Sequence, residues 1–183
     1  MDFNALAEIA SKAALEAGKV IHNALHKTIE IQHKEGGNTL ASQVVTAIDV
    51  SCEKVILKHL VPTCTQYDLG LLTEETEDDQ SRFTKDYFWC IDPLDGTLAF
   101  INKHPGFSVS IALVSKEGIP VIGVVLDPTN GTLYVGIKDQ GAFKNGKTWE
   151  LPQPKNTLTF VSDKTLANTP QKEQILGHIE KHL

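Results

Sequence analysis

The chain opens on apolar positions that recur every three or four residues. Phe3, Leu6, Ala10, Ala13, Ala14, Ala17, Val20, Ile21 and Leu25 fall on one side of a 3.6-residue helix. Alanine dominates that stripe, which predicts a face that a neighbouring element can approach closely. A second helical recurrence, Cys52, Val55, Ile56 and Leu60, runs up to Pro62. An interior proline removes a backbone donor and clashes with the preceding turn, so the pattern predicts that the second helix ends there. Between the two, Lys34-Glu35-Gly36-Gly37-Asn38-Thr39 has the composition of a loop and reads as a mobile flap.

From Phe88 the pattern changes to short runs rich in Val and Ile: Phe107–Ser115, Ile119–Leu126, Thr132–Ile137 and Ala142–Phe143. Lys116-Glu117-Gly118, Asp127-Pro128-Thr129-Asn130-Gly131, Lys138-Asp139-Gln140-Gly141 and Asn145-Gly146 separate them, as turns separate antiparallel strands. The expected fold class is therefore α+β, with two N-terminal helices packed on an antiparallel meander. Leu151-Pro152-Gln153-Pro154 interrupts the meander, Leu158–Val161 predicts a further strand, and Pro170 opens a last helix with Ile175, Leu176 and Ile179 on one face.

Charge and composition then narrow the chemistry. A formal net charge of −6 over 183 residues argues against a nucleic-acid polymer as partner, because backbone binding is driven by a surplus of Lys and Arg. A small anionic substrate is compatible with it if cations offset the acidic site. Cys52, Cys64 and Cys90 lack metal-ligand spacing and read as reduced core residues of a cytoplasmic protein. The N-terminus carries no basic stretch followed by an apolar run, and no segment of about 18 apolar residues occurs, so neither secretion nor membrane insertion is expected. His22 and His26 stand at i, i+4 on the first helix and read as solvated positions. Trp89 reads as a strand core residue, and the remaining histidines receive no role.

The candidate chemistry lies in the carboxylates that follow apolar runs. Asp92-Pro93-Leu94-Asp95-Gly96-Thr97 leaves the predicted strand Tyr87–Ile91, and Glu74-Glu75 leaves Leu69-Gly70-Leu71-Leu72. Two strand ends thereby deliver acidic side chains, and an all-oxygen donor set favours Mg²⁺ over zinc. Repulsion within such a cluster is what a bound cation offsets. Gly96 and Thr97 precede the short segment Leu98–Asn102, where the amides of a helix N-terminus suit a phosphate oxyanion. The bland readings stand beside these. Asp-Pro and Asp-Gly are ordinary turn dipeptides, and Glu74–Asp79 is also the composition of a solvated loop. Asp49, after Val44-Val45-Thr46-Ala47-Ile48 and immediately before the second helical stretch, reads locally as an N-cap; paired with Thr97 it would instead orient a water.

Taken in order, these motifs resemble those of the inositol monophosphatase superfamily of Mg²⁺-dependent, lithium-sensitive phosphatases. The residues that carry the resemblance are Val45-Thr46 with Asp49, Glu74-Glu75, Trp89 through Thr97, and Phe107-Ser108-Val109-Ser110-Ile111-Ala112-Leu113. Gly123-Val124-Val125-Leu126-Asp127-Pro128 and Gly141-Ala142-Phe143 with Asn145-Gly146 extend it. Phe107–Leu113 and Pro128 resemble the branch that hydrolyses 3′-phosphoadenosine 5′-phosphate, whereas Leu98-Ala99 stands where that branch has Lys-Glu. The resemblance implies hydrolysis of a small phosphorylated metabolite, inositol monophosphate or 3′-phosphoadenosine 5′-phosphate. It implies two or three Mg²⁺ ions, with Mn²⁺ as a substitute, held by Glu74, Asp92, Asp95 and the Leu94 carbonyl oxygen. Glu75 would be an outer carboxylate, Asp49 and Thr97 the water-activating pair, and the Gly96 and Thr97 amides the phosphate cradle. It further implies a first sugar-phosphatase half-fold over residues 1–155 and the start of a second domain at 156–183. The family's Trp-Asp-x-Ala-Ala motif has no counterpart, since the later Trp149 sits in Thr148-Trp149-Glu150-Leu151-Pro152. A weak metal- and phosphate-binding half-protein, a homodimer, or a partner chain supplying the remaining half are the corresponding expectations.

Overall fold

The computed structural model describes residues 1–25, 31–33, 44–150 and 169–182. The elements in chain order are α1 (Phe3–Ala24), β1 (Ile31–His33), β2 (Val44–Thr46), α2 (Ala47–Tyr67), β3 (Gly70–Thr73), a 3-10 turn (Ser81–Phe83), β4 (Tyr87–Asp95) and α3 (Thr97–Ile101). They continue with β5 (Ser108–Ser115), β6 (Pro120–Asp127), β7 (Thr132–Ile137), β8 (Gly141–Lys144), β9 (Lys147–Thr148) and α4 (Lys172–His182). Two units, Met1–Glu150 and Leu151–Leu183, divide the chain. The expected flap at residues 34–39 and the expected strand at 158–161 lie outside the described residues.

α1 starts where Asp2 Oδ1 accepts the amides of Asn4 and Ala5 at 2.9 and 3.2 Å, an N-cap that satisfies two otherwise orphaned donors. Its alanine stripe is buried, and the Cys52 thiol of α2 reaches the Ala17 carbonyl at 3.7 Å across the helix pair. Both helices cover the sheet, α1 over β5, β6 and β7 and α2 over β4 and β3. Trp89 on β4 is fully buried, and its indole N–H donates to the Thr63 hydroxyl at 2.9 Å while that hydroxyl donates to the Leu60 carbonyl at 2.6 Å. A large aromatic thus enters the core with its one polar atom satisfied.

The second helix does not stop at Pro62, as the sequence pattern predicts, but runs to Tyr67 with the proline inside it. Pro62 and Lys58 both lie on the exposed side. The Lys58 carbonyl that loses its amide partner is therefore turned toward water, which makes the interior proline tolerable. The last helix begins at Lys172, two residues after Pro170; Ile175 is exposed and Leu176 half-buried, while the Ile179 side chain lies outside the described residues.

The main sheet has the order β3-β4-β5-β6-β7-β8-β9. The meander from β4 onward is antiparallel, as expected, but β3 and β4 run parallel, which the apolar pattern did not signal. Among the described residues β3 has β4 as its one strand neighbour. On its other side the 3-10 turn lies close: the Leu71 amide donates to Ser81 Oγ at 3.0 Å, and a methyl group on Gly70 would sit 2.9 Å from the Arg82 nitrogen. Glycine at 70 is what permits that approach. A separate two-stranded ladder pairs β1 with β2, from Ile31↔Thr46 to His33↔Val44.

Candidate active site

The parallel register places the acidic residues. β3 and β4 pair from Gly70↔Phe88 to Thr73↔Ile91, so Glu74, the first residue after β3, comes beside Asp92, the residue that follows Ile91 on β4. The turn expected after Ile91 is displaced: β4 continues to Asp95 through a bulge, with Asp92 opposite Ser110 and Asp95 opposite Ser108. Three residues on β4 thereby span two on β5. Ser108 and Ser110 share one face of β5, so the extra residue brings Asp92 and Asp95 onto that same face, where unbroken alternation would have opposed them. Pro93 sits inside the bulge, beyond the end of β3, where its missing N–H costs no ladder bond.

Burial first, and then the neighbouring charge of Glu74, a hydrogen bond with Glu74 and the charge of Asp95, push the Asp92 carboxyl up to about 7; the Leu94 amide, donating to Asp92 Oδ1 at 3.1 Å, opposes this. Neighbouring negative charge in a half-buried place disfavours ionisation of Asp92 unless a counter-charge is supplied. The next residue, Glu75, has its amide donating to Glu53 Oε2 at 3.0 Å. In the side-chain conformations present, no three Asp, Glu, His or Cys side chains among the described residues converge closely enough to hold a metal ion. The donor set nonetheless fits Mg²⁺ or Mn²⁺, being all oxygen and set where added negative charge is opposed and a cation would relieve it.

Asp49 is not an N-cap. α2 begins two residues earlier, at Ala47, and Asp49 occupies its first turn with 2% exposure. The Thr97 hydroxyl lies 3.1 Å from Asp49 Oδ1 and 3.1 Å from the Leu94 carbonyl oxygen, so its one proton has two acceptors. The expected pairing of Asp49 with Thr97 is thus present, and Leu94 O is engaged by the same hydroxyl. Thr97 is the first residue of α3, and Gly96, at φ 86° and ψ 36°, caps it from the left-handed region. A methyl group at Gly96 would meet the Gly106 carbonyl oxygen at 2.4 Å. Gly96→Ala is accordingly expected to cost roughly 2–4 kcal/mol from left-handed strain plus the clash. Urea unfolding checks this, and an unchanged midpoint would contradict the tight approach.

Glu53 is the residue that sequence reasoning missed. It is buried on α2 and also accepts the Thr76 hydroxyl at 2.5 Å. Its signal was a glutamate one turn after Asp49, within the otherwise apolar stripe of Cys52, Ile56 and Leu60. His59, left without a role, pairs with Glu16 at 2.9 Å between the helices, and all three cysteines are free thiols.

The architecture is that of helix-backed α+β proteins with carboxylates at strand ends. It matches the extragenic suppressor protein SuhB from Bartonella henselae with a TM-score of 0.68 at 28% identity, over 82% of this chain and 55% of that one. CysQ from Bacteroides thetaiotaomicron matches with a TM-score of 0.68 at 26% identity, over 98% and 70%. The chain belongs to the inositol monophosphatase family, whose pattern covers residues 2–181. Inositol monophosphatase 2 of Solanum lycopersicum is 34% identical over 142 residues, which are 77% of this chain and 51% of that protein. The chain spans about half the length of the curated relatives it matches. Among the described residues no helix is long and apolar enough to cross a membrane.

Proposed function

We propose that this chain carries the ion-binding and water-orienting part of a Mg²⁺-dependent phosphate-monoester hydrolase, acting on a small phosphorylated metabolite such as inositol monophosphate or 3′-phosphoadenosine 5′-phosphate. What supports it is Asp92 and Asp95 on one face of β4, with Glu74, directly after β3, near enough to act on Asp92, and the Asp49–Thr97 pair, whose threonine lies on the segment that follows β4. Glu74, Asp92, Asp95 and the Leu94 carbonyl would hold two or three ions, with Glu75 outside them. Bound there, Mg²⁺ or Mn²⁺ supplies positive charge that acidifies water and neutralises phosphoryl oxygens.

The rest falls to the chain's own groups. With its hydrogen directed to Asp49 Oδ1 and not to the Leu94 carbonyl, Thr97 Oγ1 would take a proton from the attacking water as it passes its own to Asp49. The Gly96 and Thr97 amides would face the phosphate. Burial around Asp49 keeps its acceptor oxygen aimed at Thr97 and away from bulk water. A second reading is a metal- and phosphate-binding subunit that turns over substrate only in a homodimer or with a partner chain.

Phosphate release from each of the two candidate substrates, with Mg²⁺, with chelator and with Mn²⁺ added back, tests the reading. The expected result is release that chelator abolishes and Mn²⁺ restores. Ion binding without release supports the second reading, and a chain that binds neither ion overturns both.

A further inference from the structure

Asp49 and Glu53 stand four residues apart on α2, both buried, and each reaches a different acidic loop. Asp49 takes the Thr97 hydroxyl of the segment that follows β4. Glu53 takes two donors from the segment that follows β3, the Glu75 amide on Oε2 at 3.0 Å and the Thr76 hydroxyl on Oε1 at 2.5 Å. The Thr76 amide is tied back to Thr73 Oγ1 at 3.2 Å. The main chain on the far side of Glu74 is therefore held at three points, so the Glu74 side chain leaves a fixed backbone toward Asp92. One turn of helix thus sets both loops in a single frame.

We propose that Glu53 is a positioning residue for the ion site: through the Glu75 amide and the Thr76 hydroxyl it holds Glu74 where its carboxylate faces Asp92. A buried carboxylate that accepts from a main-chain amide and a side chain of the same loop fixes that loop more firmly than packing does, since either bond, once broken, leaves a desolvated acceptor behind. The role of Glu53 requires no contact with ion or substrate. The inference rests on the proposed function, and its test is built to separate the two.

The test is Mn²⁺ binding to the full 183-residue chain, followed by the electron paramagnetic resonance signal of the free ion, which needs no turnover. Glu53→Ala is expected to weaken Mn²⁺ binding by at least about tenfold, the scale at which second-layer partners of metal ligands act. Glu53→Gln should stay within a few-fold of the parent, because its oxygen still accepts the Glu75 amide while its NH₂ donates to Thr76 Oγ1. Rescue by Gln distinguishes geometry from general loss of a buried group. Should Glu53→Ala fail to fold, Thr76→Val and Thr76→Ser decide the matter, since Thr76 is exposed and the former deletes the hydroxyl that the latter keeps. Weakening by Val with restoration by Ser supports the role. A folded Glu53→Ala, or in its place Thr76→Val, that binds Mn²⁺ as the parent does overturns it. A parent chain that binds no Mn²⁺ overturns the ion site itself.

Discussion

Asp92→Asn is expected to abolish Mg²⁺ and Mn²⁺ binding while raising the melting temperature of the ion-free chain. Asn keeps the shape of Asp92 and its Oδ1 acceptor for the Leu94 amide, but removes the charge that burial and Glu74 oppose. The sign follows from linkage. The folded-state carboxyl titrates at about 7 instead of the ordinary 3.8, so between those values the native chain holds a proton that the unfolded chain has released. Ion-free stability is therefore greatest below the ordinary value and falls as pH rises through about 7. The Asn variant should lack that fall. Above the raised value its advantage is on the order of 1–3 kcal/mol, read as roughly 2–4 °C of melting temperature per kcal/mol. Saturating Mg²⁺ should reverse the ranking, because only the parent has a charge for the ion to replace the proton on. Thermal melts of both proteins across that interval, with and without ion, check all parts. Equal binding by the two would remove Asp92 from the site.

Thr97→Ala is expected to lower phosphate release by about 10²–10⁴-fold, the contribution of a positioned proton-transfer group. The hydroxyl stands 3.1 Å from Asp49 Oδ1 and 3.1 Å from the Leu94 carbonyl, and without it the attacking water has no acceptor that Asp49 orients. Ion affinity should change by no more than a few-fold, since no carboxylate of the Glu74, Asp92 and Asp95 group is altered. Asp49 loses one donor, with a stability cost of about 1–3 kcal/mol if nothing replaces it. Thr97→Ser keeps the oxygen and should recover most of the rate. Phosphate release measured for parent, Ala and Ser at saturating Mg²⁺ settles the point, and full activity of the Ala variant would take Thr97 and Asp49 out of the mechanism.

Local periodicity made α1 and the meander readable, because each buries one continuous face and the apolar spacing records which. It could not record strand direction. Leu69 through Leu72 looks the same whether its neighbour runs parallel or antiparallel, so the pairing that sets Glu74 beside Asp92 emerged only from the fold. Pro62 misled for a related reason: its effect on a helix depends on whether the freed carbonyl faces water, which is a tertiary property. Asp49 at the head of α2 gave the right partner in Thr97 but the wrong place, since α2 extends two residues further back than its apolar stripe. Glu53 was invisible to a search for paired carboxylates because its partners are a main-chain amide and a hydroxyl.

The turn at Ser81–Phe83 has a further effect, on what this sheet can do with another chain. An outer strand ordinarily presents a row of unpaired amides and carbonyls on which a second polypeptide can grow. At β3 the outward Leu71 amide is already taken by Ser81 Oγ, and Gly70 lets the Ser81–Arg82 main chain lie against that margin. The opposite margin, β9, is two exposed residues long and too short to seed pairing. Among the described residues the sheet is thus blunted at both ends against aggregation and strand exchange, and the strand that leads into Glu74 is guarded on the side where an intruding chain would pull it out of register.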